Sequence, residues 1–352
     1  MKYKFSLKIK DIVEKYNDKC YGCNLCTNHC IFLKKYIKNP KIFFQNLSIE
    51  NDIDIYLPYY CFSCNTCSKI CPNNIDFGVL FTELKKEISK NKKSPHIKHS
   101  IIRNHQMLSN SKIFTTIKGN ATIGFMPGCS LSSYSPTLVM KIYNLLKIKY
   151  NDINLILRCC GNPSYSIGEI KKFNEIYNSL YTSLNKKNIN KIITACQTCY
   201  KTLKENSPNL DIVSLWEEIN NFELPKLTLE DKFYIFDSCS ADENIKKSIR
   251  EITKKLNLKI ENMETTVSKC CGLGGCVHIV NKELYNDNLN NIKSNINSKN
   301  VITYCAGCRD SLSNIKYSYH LLELIFLEGN LTPKGPNKTH RSWINRLKLK
   351  AL

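Results

Sequence analysis

The sequence predicts an α+β multidomain chain: a mostly helical N-terminal domain followed by a duplicated α/β domain. Three observations predict it. Cysteine supplies 19 of the 352 residues, far more than packing alone uses. Eight of these stand in two four-cysteine motifs near the N-terminus, and ten recur as two groups of five, offset by 109 to 111 positions. Around those two groups, short apolar runs alternate with longer amphipathic stretches, the pattern of strand and helix in α/β units. A chain of this length builds its cores without disulfide staples. An odd cysteine count and a lysine-studded start unlike a secretory signal point away from a disulfide framework. No run approaches the ~18–20 apolar residues of a membrane span. The expected location is cytoplasmic, with peripheral contact at the inner face of the membrane as the alternative.

The first domain, residues 1–90, carries Cys20-Tyr-Gly-Cys23-Asn-Leu-Cys26-Thr-Asn-His-Cys30 and then Cys61-Phe-Ser-Cys64-Asn-Thr-Cys67-Ser-Lys-Ile-Cys71-Pro72. Both read C-x2-C-x2-C-x3-C, the spacing of paired cubane [4Fe–4S] sites, in which the fourth cysteine of each motif ligates the other cluster. One site therefore takes Cys20, Cys23, Cys26 and Cys71; the other takes Cys61, Cys64, Cys67 and Cys30. Zinc needs only two C-x2-C pairs and would leave the third and fourth cysteines of each motif unused. Ile31 stands where the first motif would have proline, and His29 is expected as a neighbour of the cluster, not a ligand.

Residues 91–119 read as a linker with a short helix, polar and basic, whose His96, His99 and His105 are expected to be exposed. Two similar domains follow, 120–225 and 226–330. The first holds Cys129, Cys159-Cys160-Gly161 and Cys196-Gln-Thr-Cys199; the second holds Cys239, Cys270-Cys271-Gly272 and Cys305-Ala-Gly-Cys308. A fixed offset kept over the whole length marks duplicated units. Five thiolates exceed what one tetrahedral ion takes, and adjacent ones suit several bridged irons; a vicinal redox pair is the alternative. Apolar runs at Ala121–Phe125, Ile153–Leu157, Lys191–Ala195, Phe233–Phe236 and Val301–Tyr304 are expected as buried parallel strands. Thr137–Ile148, Glu169–Leu184 and Ala241–Leu256 are expected as helices. Most cysteine groups then lie just past strand C-termini, where open α/β sheets hold ligands.

The repeated Cys…Cys-Cys-Gly…Cys-x-x-Cys pattern resembles the cysteine-rich CCG domain of heterodisulfide reductases. Joined to two ferredoxin-type motifs, it is similar to the fused catalytic subunit of those enzymes and to the iron–sulfur subunits of glycolate oxidase and anaerobic glycerol-3-phosphate dehydrogenase. The resemblance covers about residues 15–325 and implies a helical ferredoxin-like domain fused to two CCG domains. It also implies a noncubane [4Fe–4S] cluster on Cys129, Cys159, Cys160, Cys196 and Cys199, and a second on Cys239, Cys270, Cys271, Cys305 and Cys308. These ten would be the catalytic cysteines as cluster ligands. Asp237-Ser238-Cys239 departs from the family, which commonly has proline close before this cysteine. Cys276 lies outside both quintets and is expected as a packed thiol or neighbour of a cluster.

Two functions follow from the resemblance. The first is an oxidoreductase subunit for heterodisulfide or thiol chemistry, with electrons relayed between cubane and noncubane clusters. The alternative is an electron-transfer subunit between a flavoprotein dehydrogenase and a quinone or other carrier. Gly272-Leu-Gly274-Gly275 lacks the third glycine of a dinucleotide fingerprint, so neither flavin nor NAD is expected in this chain, and a flavoprotein or other electron-transfer partner is. The formal charge of +21 does not argue for nucleic acid, because only six of the 51 basic residues are Arg, the side chain that phosphate and base recognition favours. The basic tail, 331–352, contains Trp343; its Leu–Lys alternation fits a helical face poorly, and docking onto the protein or a partner is favoured over a membrane surface.

Overall fold

A computed structural model describes residues 1–90, 93–263 and 269–352. These divide into two compact units: one comprises the described residues within Met1–Asn104, Pro163–Asn174 and Val267–Asn295, the other those within His105–Asn162, Glu175–Thr266 and Ile296–Leu352. The α+β class stands.

The first unit is helical, apart from one small pairing of β1 (Lys2–Lys4) antiparallel to β2 (Asp52–Asp54). Its long helices include Leu7–Lys19, Pro40–Glu50, Phe77–Ile88 and Lys282–Asn295. Pro40 suits the first helical position, and the Asn39 side chain accepts from Ile42 N. Asp76 caps the third helix by accepting from the N–H groups of Gly78 and Val79. Leu80, Phe81, Leu84 and Ile88 then follow at helical spacing and are buried. Phe44 stacks on Phe77 at 5.0 Å, and Phe32 meets Phe81 edge-on at 5.4 Å. Each such fully buried ring contributes about 1.5–3 kcal/mol by leaving water.

The second unit holds two sheets. The first is built from β3 (Thr116–Lys118), β4 (Ile123–Met126), β5 (Asn154–Leu157), β6 (Lys191–Thr194) and β7 (Asp211–Ser214), in the order β3-β5-β4-β6-β7. The second is built from β8 (Lys232–Ile235), β9 (Lys259–Ile260), β10 (Asn300–Thr303) and β11 (Tyr317–His320), in the order β11-β10-β8-β9. Apart from β3, antiparallel to β5, all neighbours are parallel. Without β3 the first order, β5-β4-β6-β7, is that of the second, β9-β8-β10-β11. The duplication seen in the cysteines is thus a duplication of topology. It extends to the capping boxes, Ser214 with Glu217 and His320 with Glu323, that start the last helix of each copy. β5 and β10 are buried at every residue, as parallel strands covered on both faces are.

The five expected strands and three expected helices are present within a few residues of their predicted bounds. In the second unit, four further strands were not expected. β7 and β11 are edge strands with polar residues in the run, β9 has only two residues, and β3 lies in the expected linker. That linker requires correction. It carries the short helix expected of it, His99–Ser109, but also a strand of the first sheet, and of its three histidines only His105 is exposed. His99 is fully buried with Nδ1 2.5 Å from Ser94 Oγ, and His96 packs among Tyr56, Tyr59 and Tyr60. Both stretches expected as single domains are divided between the units: Pro163–Asn174 of 120–225, and the described residues of Val267–Asn295 of 226–330, group with the first unit.

The tail requires a second correction: Thr339–Ala351 is a helix. Trp343 lies on Phe114 and His105, Asn345 Nδ2 donates to Ser133 O, and Leu349 is 1% exposed. The Leu–Lys alternation hid a face made of Trp343, Arg346 and Leu349, spaced by three. Leu349→Ala should lower the stability of this unit by about 2–5 kcal/mol, read as an earlier denaturant midpoint; an unchanged midpoint would show that the helix is not docked.

Candidate iron–sulfur centres

The two four-cysteine motifs fold on one local plan. Two residues past the first cysteine of each, Gly22 (φ 72°) and Ser63 (φ 52°) turn left-handed, and Asn24 (φ 60°) and Asn65 (φ 56°) do so after the second. Such turns aim successive N–H groups inward; Ser63 N is 3.4 Å from Cys61 Sγ. Each motif then enters a short helix, Leu25–His29 or Thr66–Ile70, that ends at its fourth cysteine. The two helices pack against each other, and each fourth cysteine crosses into the other motif's cavity. Cys20, Cys23, Cys26 and Cys71 line one space of about 420 Å³, open solvent included. Cys30, Cys61, Cys64 and Cys67 line another of about 310 Å³. Phe77 lines both.

Burial is the largest influence on four of these thiols, Cys26, Cys30, Cys61 and Cys67. It pushes Cys26 up to about 11, helped by Cys20, Cys71 and Cys23. It raises Cys30 too, with Cys64 and Cys61 adding to the shift. Cys67 is raised by burial and by Asp76, whose Oδ1 is 3.9 Å from its sulfur. Four crowded sulfurs cannot all ionise unless a cation takes up the charge.

The second site has a further neighbour. Cys64 is lowered to about 6, first by a hydrogen bond from Cys270, the first cysteine of the second Cys-Cys-Gly. Gly274 and Gly275 allow this approach, since a Cβ at either would overlap Phe62 O or Cys61 O. Val277 and Leu284 anchor the segment in the core of the first unit.

In the second unit the first quintet converges from three strand ends. Cys129 follows β4 and Gly128, Cys159 and Cys160 follow β5, and Cys196 caps the helix Gln197–Asn206 after β6. Gly128 sits at φ 80°, and a Cβ there would strike Cys196. Cys159 donates to Cys129, lowering it to about 6, and Cys199 donates to Cys160 and Cys196. In the second copy, Cys305 caps the helix Ala306–Leu312, with Cys308 donating to it. Cys196 N to Thr194 Oγ1 at 3.3 Å and Cys305 N to Thr303 Oγ1 at 3.4 Å repeat the same turn. Cys239, Cys305 and Cys308 lie in the second unit, whereas Cys270 and Cys271 group with the first. Among the described residues, no three His, Cys, Asp or Glu side chains gather as around a single metal ion.

The sequence comparisons agree with this arrangement. A profile of the 4Fe-4S dicluster domain matches residues 16–75, and one of the CCG cysteine-rich domain matches twice, at 123–204 and 233–313. These spans contain all eighteen cysteines of the motifs and quintets. The chain is a dicluster–CCG iron–sulfur protein. It is 22% identical over 294 residues to an uncharacterized iron–sulfur protein of Methanocaldococcus jannaschii, covering 73% of this chain and 58% of that one. It is likewise 22% identical over 289 residues to one of Methanococcus maripaludis, covering 72% and 57%. The chain thus spans under three fifths of either relative.

Several residues beside the CCG and dicluster cysteines escaped the sequence reading. Lys85 is fully buried, its Nζ 3.5 Å from Cys61 O, and burial lowers its pKa against the pull of Cys61 and Cys276. Its place four residues after Phe81, on the apolar face, was the available signal. At the first CCG quintet, Gln106 Nε2 reaches Cys159 Sγ at 3.8 Å and Gly161 O at 3.3 Å, and Arg346 Nη2 lies 4.0 Å from Cys129 Sγ. Asp237, the departure from proline, is buried and bidentate with Arg250 at 2.5 and 2.7 Å. Tyr304 donates to Asp237 and accepts from Ser238 N, both at 3.1 Å, so one carboxylate ties together the loops bearing Cys239 and Cys305. Cys276 is a packed thiol near Lys85, pushed up to about 11 by burial. His29, expected beside a cluster, is exposed with Nδ1 3.0 Å from Leu25 O.

The crossing makes a specific prediction. Cys71→Ser should abolish the same cubane signal as Cys20→Ser, and Cys30→Ser the same as Cys61→Ser, in low-temperature spectra of the reduced protein. Grouping by sequence neighbourhood, Cys30 with Cys20 and Cys71 with Cys61, would contradict the geometry.

Proposed function

We propose that this iron–sulfur electron-transfer protein is the disulfide- or thiol-active subunit of an oxidoreductase. The observation that carries the reading is the first quintet, where Cys129, Cys159, Cys160, Cys196 and Cys199 are all retained and joined by sulfur-to-sulfur contacts. A donor set of five thiolates with two adjacent ones fits several bridged irons and exceeds a single ion's needs. Cys20, Cys23, Cys26 and Cys71, and Cys30, Cys61, Cys64 and Cys67, would hold two cubane clusters. The first quintet, and by the repeat Cys239, Cys270, Cys271, Cys305 and Cys308, would hold two noncubane ones.

When bound, such clusters supply one-electron exchange, and a disulfide needs two electrons and two protons to become two thiols. The chain's own residues supply the setting. Cys159, Cys160 and Cys199 are buried, which keeps water from the thiolates. Gln106 and Arg346 present N–H groups to Cys159 and Cys129, and donors to sulfur favour the more negative state. Within the first unit, the contact from Cys270 to Cys64 joins a cysteine of the second Cys-Cys-Gly to a cubane-type cysteine. A flavoprotein or another electron-transfer subunit would supply or take the electrons.

Anaerobic purification should give about 16 irons per chain with matching sulfide. Addition of a disulfide or thiol to the poised protein should then produce a new paramagnetic state. Iron content near half that value would demote the CCG sites to scaffold. Full iron with no response to any thiol, but rapid reduction by a flavoprotein, would instead make the chain a relay.

A further inference from the structure

We infer that the mouth of the Cys20–Cys23–Cys26–Cys71 site is the docking surface for an acidic one-electron carrier protein. The inference rests on the reading of that site as a redox centre. Cys23 is the one cysteine of the nineteen that is exposed, so this centre, unlike the others, reaches the surface through a ligand side chain. Beside it Tyr21 is 80% exposed and Leu25 is 42% exposed, and both line the same space. Exposed Tyr and Leu around a ligand cysteine form the kind of apolar, aromatic centre found in recognition patches.

The charge lining this centre is basic, although exposed Asp18 precedes Lys19. No Asp or Glu lines the cavity, and none occurs between Asp18 and Glu50. Lys19 lines it, with Lys19 O accepting from Asn73 Nδ2 at 2.5 Å. Lys41 lies against Gly22, between the first two cysteines, where a Cβ would come 3.5 Å from Lys41 Cβ. Exposed Lys69 stands two residues before Cys71. Of the nearby carboxylates, Asp76 is buried and turned onto the N–H groups of its own helix, and exposed Asp18 is outnumbered by Lys19, Lys41 and Lys69. A lysine rim of this kind attracts a partner bearing carboxylates and speeds its approach, and salt weakens the attraction. The transfer itself moves one electron between carrier and chain, with no atom or proton exchanged.

The test uses the whole, iron-loaded chain and flavodoxin, an acidic one-electron carrier, as the probe. Binding of oxidised flavodoxin is measured by calorimetry, and electron transfer from its reduced form by stopped-flow absorbance. Both should weaken about tenfold or more from low to moderate salt. The double variant Lys19→Glu/Lys69→Glu should weaken both by at least as much, with iron content and reduction by dithionite unchanged. Lys147→Glu/Lys186→Glu changes the net charge equally at exposed lysines of the second unit and should leave both within about twofold. Equal weakening by the two double variants, or no salt dependence in the wild-type chain, would overturn the docking surface while leaving the redox reading intact. A chain that binds no iron in this site would overturn both.

Discussion

The crossing of the two fourth cysteines is the constraint on which the dicluster region depends. Leu25–His29 and Thr66–Ile70 are too short to be stable helices alone. They persist because they pack on each other, and that packing delivers Cys30 and Cys71 to opposite cavities. Neither site is complete within its own motif. The shared wall at Phe77, the first residue of the helix that Asp76 caps, ties both cavities to the aromatic core. The chemistry of the sites and the stability of the unit thus rest on the same residues.

The CCG repeat uses a different device for the same end. Both copies keep the central strand order and place cysteines where parallel strands end and helices begin, positions that the sheet holds rigidly. The copies then diverge around that frame. In the first, Gln106 and Arg346 of the C-terminal helix reach Cys159 and Cys129; in the second, the Asp237–Arg250–Tyr304 network ties together the loops bearing Cys239 and Cys305. A buried carboxylate in place of proline is tolerated because its charge is met by a bidentate guanidinium and a phenol.

What was legible in the sequence was whatever local spacing determines. The C-x2-C-x2-C-x3-C runs mark two local four-cysteine folds, and in the structure Cys71 lines the cavity of the first motif and Cys30 that of the second. The buried parallel strands were legible as apolar runs because both their faces are covered. What escaped depends on distant partners. β7 and β11 are half-polar and become strands by pairing with β6 and β10. The tail becomes a helix against Phe114 and the segment after Cys129, 200 or more residues earlier. The burial of Lys85 and the contact from Cys270 to Cys64 join residues that no single stretch of sequence displays together.

The most direct measurement is diffraction at the iron absorption edge from crystals of the chain grown without oxygen. The account predicts anomalous density for one four-iron centre among Cys20, Cys23, Cys26 and Cys71, and for a second among Cys30, Cys61, Cys64 and Cys67. Centres held by Cys20, Cys23, Cys26 and Cys30 and by Cys61, Cys64, Cys67 and Cys71, or density at the zinc edge in their place, would contradict it.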